Sequence, residues 1–150
     1  DADRLRAEMR AEIARLQTSA RRAEAERASL LSVEIARRLI DRLPQSSRVF
    51  GFIDGLADAV AALPETTRAA FDRRGEAILT APRALDAEEE RLCRSRLESA
   101  CGHPLRFSVR VDPSLLAGLE LENDHTAIRN SLRADLERIR ASLLTEPEDG

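Results

Sequence analysis

For its first 43 residues the chain carries neither glycine nor proline. Alanine, arginine, glutamate and leucine dominate this stretch, and all four enter helices at little cost. Residues 1–43 therefore read as one long helix. Its apolar groups are sparse at first: Ala2, Leu5 and Met9 are followed eleven residues later by Ile13, Leu16 and Ala20. An eleven-residue period corresponds to 3.67 residues per turn and favours a right-handed supercoil. A narrow stripe through Leu5, Met9, Ile13 and Leu16 is buried either by a partner helix or by docking on its own domain. From Leu30 the stripe widens through Leu31, Val33, Ile35, Ala36, Leu39, Ile40 and Leu43. At that point the helix is expected to enter a globular core.

Leu43-Pro44 ends the helix, because a residue before proline is pushed out of the helical region. Ser46 or Ser47 is positioned to cap the next helix. The broad apolar face of that helix holds Val49, Phe50, Phe52, Ile53, Leu56, Ala57, Val60 and Leu63. Pro64 opens a short helix from Glu65 to about Arg73, closed by Gly75. Ile78 and Leu79 mark a short buried strand over residues 76–80, stopped at Pro82. Asp86 with Glu89 makes a capping box, behind Leu85 as a possible staple; the helix it starts runs to about Cys101 and turns on Gly102. Strand, helix and strand in this order imply a right-handed crossover between parallel strands.

Leu105, Phe107, Val109 and Val111 alternate with Arg106, Ser108 and Arg110, the period of a half-buried strand. Asp112-Pro113 stops it, and residues 117–121 read as a return strand pairing antiparallel with the one before. Gly118 sits where backbone must bend or pass close to a neighbour. The chain then extends briefly and enters a last helix near Asn130 or Ser131, with Leu132, Leu136, Ile139 and Leu143 on one stripe. Residues 146–150 form an acidic tail expected to be disordered.

Asp112-Pro113-Ser114-Leu115-Leu116-Ala117-Gly118 resembles the Asp-Pro-x-Leu-Ile-Gly-Gly signature of the delta subunit of F-type ATP synthases. Ser131-Leu132-Arg133-Ala134-Asp135-Leu136-Glu137-Arg138-Ile139 is similar to the helix that follows it there. Ala117 departs from the first glycine of that pattern. With an Arg-Ala-Glu-rich helix in front, the chain looks closer still to the b subunit of the alternate (N-type) F-type ATPases, where a b-like helix joins a delta-like or E-like C-terminal domain. The resemblance implies a non-catalytic peripheral-stalk (stator) subunit, linking the catalytic head to the membrane sector against rotor torque. It also implies two partners: another stalk helix, as hetero- or homodimer, and an alpha-type subunit of the head. The partner helix is expected on Leu5, Met9, Ile13 and Leu16, and the head on Ser114, Leu115, Leu116, Leu132 and Leu136. The related alternative is a stator or regulator of a flagellar or type III secretion ATPase, which carries similar signatures.

Composition excludes several chemistries. All 24 basic residues are arginine, so a P-loop, a Schiff base and a lysine base are ruled out. A net charge of −3 with both signs interspersed gives no nucleic-acid patch. Cys93 and Cys101, eight apart on one helix, are too far apart to bridge and read as free thiols of a reduced compartment. No stretch reaches the ~20 apolar residues of a membrane span; any span is expected upstream, placing the chain on the cytoplasmic side of the inner membrane. A small hydrolase or binding domain would have to use Cys101, His103 and Asp112, which do not form a nucleophile–base–orienter pattern. Glu88, Glu89 and Glu90 sit where carboxylates favour a helix N-terminus. No active site, metal or cofactor is expected. The fold class is α+β: a long N-terminal helix (1–43) and a helical hairpin lead into a small mixed sheet of about three strands packed against helices (44–145).

Overall fold

The computed structural model describes residues 1–73 and 76–145. Gly75 and the acidic tail lie outside the described residues, as does the side chain of Leu143. The first helix, α1 (Ala2–Ile40), is capped by Asp1, whose carboxylate accepts from the Arg4 N–H at 2.8 Å. Ion pairs one turn apart, such as Arg4–Glu8 and Arg15–Glu12, line its surface. Two 3-10 turns, Gln45–Arg48 and Phe50–Phe52, lead into α2 (Ile53–Ala61) and then α3 (Glu65–Arg73). There follow β1 (Ala77–Ala81), α4 (Ala87–Cys101), β2 (Phe107–Val111), a 3-10 turn at Pro113–Leu115, β3 (Gly118–Glu122), β4 (Ala127–Ser131) and α5 (Leu132–Thr145). The α+β class holds.

The described strands form one four-stranded mixed sheet in the order β2-β1-β3-β4. β1 and β2 are parallel, as the crossover through α4 requires, in a register that sets Ala77 beside Phe107 and Ala81 beside Val111. The expected antiparallel pairing of β2 with β3 does not occur. β1 lies between them and takes β3 on its other side, Leu79 opposite Leu121. That placement gives the central strand two buried ladders. The fourth strand, β4, returns along β3 through a tight turn in which the Asn123 side chain accepts from the N–H groups of His125 and Thr126.

One face of the sheet carries Leu79, Phe107, Leu119, Leu121 and Ile128 and packs with α2 and α4; Val49, Ile53, Leu56, Val60, Phe71, Cys93 and Leu97 fill this core. The other face carries Thr80, Arg110, Glu120, Glu122 and Arg129, the alternation of a sheet with one solvated side. The widening stripe of α1 does not enter the core. Only Ile40 of α1 is buried, while Leu30, Leu31 and Leu39 are 70%, 61% and 59% exposed. α2 and α4 already cover the apolar face of the sheet, so α1 runs outside it and touches α5, where Arg140 lies 4.0 Å from Glu26.

One cap differs from expectation. Ser46 and Ser47 lie inside the first 3-10 turn, and no side chain caps α2. Its start is held instead by Asn130 of β4, which donates to the Phe52 carbonyl at 2.9 Å. The Asp86–Glu89 capping box is present, and Gly102 ends α4 in the left-handed region at φ 80°.

Candidate docking surfaces

The Asp-Pro segment is a packed corner. Asp112 accepts from the Ser114 N–H at 3.0 Å and from its hydroxyl at 2.6 Å. Arg133, at the start of α5, donates to Asp112 at 2.9 Å, to the Ser114 hydroxyl at 2.6 Å and to Glu120 of β3 at 3.1 Å. The Ser114 hydroxyl and then Arg133 hold the Asp112 carboxyl below its ordinary value. Glu120 in turn accepts from the Ser131 hydroxyl, which itself accepts from the Ala134 N–H and so caps α5. Turn, strand and helix are thus tied by one charge-assisted network.

Gly118 stands at φ 109°. A Cβ there would lie 2.5 Å from the Ser131 Cα and closer still to the Asn130 carbonyl oxygen. The residue is glycine because β4 backbone occupies the place of a side chain.

The seat of α1 is a second polar cluster. Arg83 donates through Nε and Nη2 to the Gln45 carbonyl at 3.1 and 2.7 Å, and through both terminal nitrogens to Glu89 at 2.8 and 2.7 Å. Arg83 is the foremost cause holding the Glu89 carboxyl below its ordinary value. Arg48 reaches back to the Ile40 carbonyl and to Asp41, each at 3.3 Å. Neither arginine was marked by the sequence. Glu89 carried the capping-box signal, but its partner sits in a loop without periodicity.

The nine candidate contact residues divide. Leu5, Met9, Ile13 and Leu16 are 58%, 57%, 52% and 61% exposed, an accessible stripe. Ser114 is exposed, and Leu132 and Leu136 are half-buried. Leu115 and Leu116 are buried, at 0% and 7% exposure. The turn, with Leu116 at φ 68°, folds both leucines inward, so Leu115 is core and not surface. Leu116 shows only its edge, in a groove of about 150 Å³ between α1 and α5 that Leu30, Val33, Leu136 and Arg140 also line. Leu30 and Val33, expected in the core, line this groove because α1 runs outside the core; Arg140 of α5 is the lining residue that sequence reasoning missed.

Cys101, His103 and Asp112 do not converge. The five residues of β2, roughly 16 Å at a strand's rise, separate His103 from Asp112. His103 places its ring nitrogens against the carbonyls of Pro104 and Arg68, at 2.8 and 3.0 Å. Burial raises the Cys101 thiol above its ordinary value, and it pushes Cys93 up to about 12.

Residues 53–143 match the family described as ATP synthase delta (OSCP) subunit. The chain belongs to that family. It is 46% identical over 145 residues to ATP synthase subunit b 3 of Beijerinckia indica, covering 96% of this chain and 56% of that protein. ATP synthase subunit b 1 of Rhodospirillum centenum is 37% identical over 121 residues, covering 78% of this chain and 47% of its own length. ATP synthase subunit delta of Chelativorans sp. is 35% identical over 109 residues, or 65% of this chain and 59% of the relative. The chain thus spans about half the length of the b-type relatives it matches. A delta-family domain behind a long helix, related along 96% of its length to a b-type subunit, is the arrangement that the resemblance to b subunits with a delta-like C-terminal domain implied. These relatives are structural subunits, not catalytic ones. Among the described residues, no helix is long and apolar enough to cross a membrane.

Proposed function

We propose that this chain is the head-proximal part of a peripheral-stalk subunit of a rotary F-type ATP synthase, holding the catalytic head against rotor torque. The observation that carries this reading is the pairing of a delta-family domain with a 39-residue helix whose apolar stripe is exposed. In this reading residues 1–43 are the stalk, and Leu5, Met9, Ile13 and Leu16 meet another stalk helix. Residues 44–145 form the docking domain, and an alpha-type subunit of the head sits on Ser114 and on the groove lined by Leu30, Val33 and Leu136. The membrane sector is reached through parts of the protein outside these residues, on the cytoplasmic side of the inner membrane. The names of its relatives favour an ATP synthase over an export ATPase. No chemistry is asked of the chain; a stator works through stiffness, and the polar cluster of Arg83, Gln45 and Glu89 fixes the elbow from which the helix leaves the domain.

Co-purification with the other subunits of the same ATP synthase tests this. Ile13→Glu with Leu16→Glu should abolish capture of the partner stalk helix and spare the head contact. Leu136→Glu should do the reverse. Absence of a complex with any component of the synthase, for a folded chain, would refute the stator reading.

A further inference from the structure

The outer edge of β2 is open, and its chemistry matches itself. Parallel pairing with β1 uses the even-numbered residues of β2: the Ala77 N–H donates to the Arg106 carbonyl, and the Asp112 N–H to the Ala81 carbonyl. The N–H and C=O groups of Phe107, Val109 and Val111 therefore point away from β1. None of these six groups has a hydrogen-bond partner among the described residues. The edge strand is short and is flanked by Arg106, and Arg94 of α4 lies over the Phe107 ring at 4.4 Å, but nothing among the described residues covers its free backbone groups. It has no proline and no glycine, and Arg110 leans back over the sheet to pair with Glu122. Val111 is 48% exposed at its end.

We infer that β2 pairs antiparallel with β2 of a second copy of this chain, about a two-fold axis through Val109. The register follows from the free groups. Val109 faces the partner's Val109 and Phe107 faces the partner's Val111, so each pair is of the hydrogen-bonded kind and all six free groups on each strand are satisfied. Apolar residues meet apolar residues on the core-side face. On the solvated face Ser108 meets Arg110, and Arg106 meets Asp112, so no like charges stand directly opposite. A slip of one residue would set outward-pointing groups against inward-pointing ones and lose the ladder. The result is one continuous eight-stranded sheet across two chains. This proposal does not depend on the stator reading, because α1 takes no part in it.

Amide hydrogen exchange of the full chain at rising concentration tests the inference, in a background with Ile13→Glu and Leu16→Glu to remove pairing through α1. The amides of Phe107, Val109 and Val111 should exchange at unprotected rates when dilute and become protected, at least about tenfold, as the dimer forms. Ser108 and Arg110 should be protected throughout. Val109→Pro removes an N–H that β1 does not use, and should lower the association constant about tenfold or more. Val109→Cys should form a reducible dimer under mild oxidation, since hydrogen-bonded antiparallel pairs hold their Cα atoms ~5.5 Å apart, within disulfide reach; Ala127→Cys on the opposite sheet edge should not. Three odd-numbered amides unprotected at every concentration, or protected to the same degree at all of them, would overturn the proposal. So would dimerisation unaffected by Val109→Pro.

Discussion

Replacing Gly118 with alanine isolates what the glycine of the Asp-Pro signature does. Two costs add. At φ 109° an L-residue carries dihedral strain of roughly 1–3 kcal/mol. The new Cβ also meets the Asn130 carbonyl oxygen and the Ser131 Cα, which are backbone atoms and cannot rotate aside. Relieving that overlap moves β4 off β3 and disturbs the cap of α5, an overpacking cost of roughly 1–3 kcal/mol. The sum is about 4 kcal/mol, a large part of the ~5–15 kcal/mol typical of a domain. Gly102→Ala is the control: its φ is 80°, but nothing lies within 4 Å of the added Cβ, so it should lose only about 1–2 kcal/mol. Far-UV circular dichroism would be dominated by α1, and the chain has no Trp or Tyr. The assay is therefore urea unfolding followed by pulse-labelling of Cys93, which is fully buried in the core. A Gly118→Ala loss no larger than that of Gly102→Ala would show that backbone crowding at β3–β4 is not why glycine is there.

Leu115→Ala should cost about 2–5 kcal/mol by the same assay, as a core truncation, whereas Leu16→Ala should fall within ~0.5 kcal/mol in the unpartnered chain. Equal effects would contradict the opposite burial of the two leucines. Glu89 is held below its ordinary 4.5 in the folded chain, by Arg83 first, so its contribution is complete above that value and lost as pH falls toward the depressed one. Glu89→Gln should therefore destabilise the chain by about 1–3 kcal/mol at pH 7 and flatten the decline below pH 4.5; an unchanged acid limb in urea titrations would refute the assignment. Native Cys93, with its thiol pushed up to about 12, should alkylate far more slowly at pH 8 than after unfolding, and equal rates would remove it from the core.

Helices were the most legible part of the chain. Pro44, Pro64 and Gly102 punctuate them, and the Asp86–Glu89 capping box survives into the structure. The β1–α4–β2 crossover followed from element order alone, since a parallel pair needs such a connection. The neighbour of β3 was not legible, because adjacency in sequence favours a β2–β3 hairpin and only the packing of the whole core puts β1 between them. β4 carries a single buried apolar residue, Ile128, too weak an alternation to separate it from a loop. Leu115 and Leu116 stand side by side in a turn, where neither helical nor strand period assigns a face. Their burial depends on the positive φ at Leu116, which a leucine rarely adopts.

The same limit explains α1, and there it has functional content. A widening apolar stripe states that burial is needed but not which chain supplies it. In this structure Ile40 alone of α1 is buried, while Leu5, Met9, Ile13, Leu16, Leu30, Leu31, Ile35 and Leu39 are more than half exposed along a rod of about 58 Å. Exposed Arg–Glu pairs along α1 contribute little, because solvent and salt screen them. They favour helical geometry without fixing what the helix lies against. The fixed point is the elbow, where Arg48 holds the end of α1 and Arg83 holds the next turn to α4. In the stator reading proposed above, a helix anchored at one end by arginines, with most of its apolar stripe exposed, is completed by another chain. On that reading the stiffness of the stalk comes from the pairing, and the elbow sets the direction in which the pair leaves the domain.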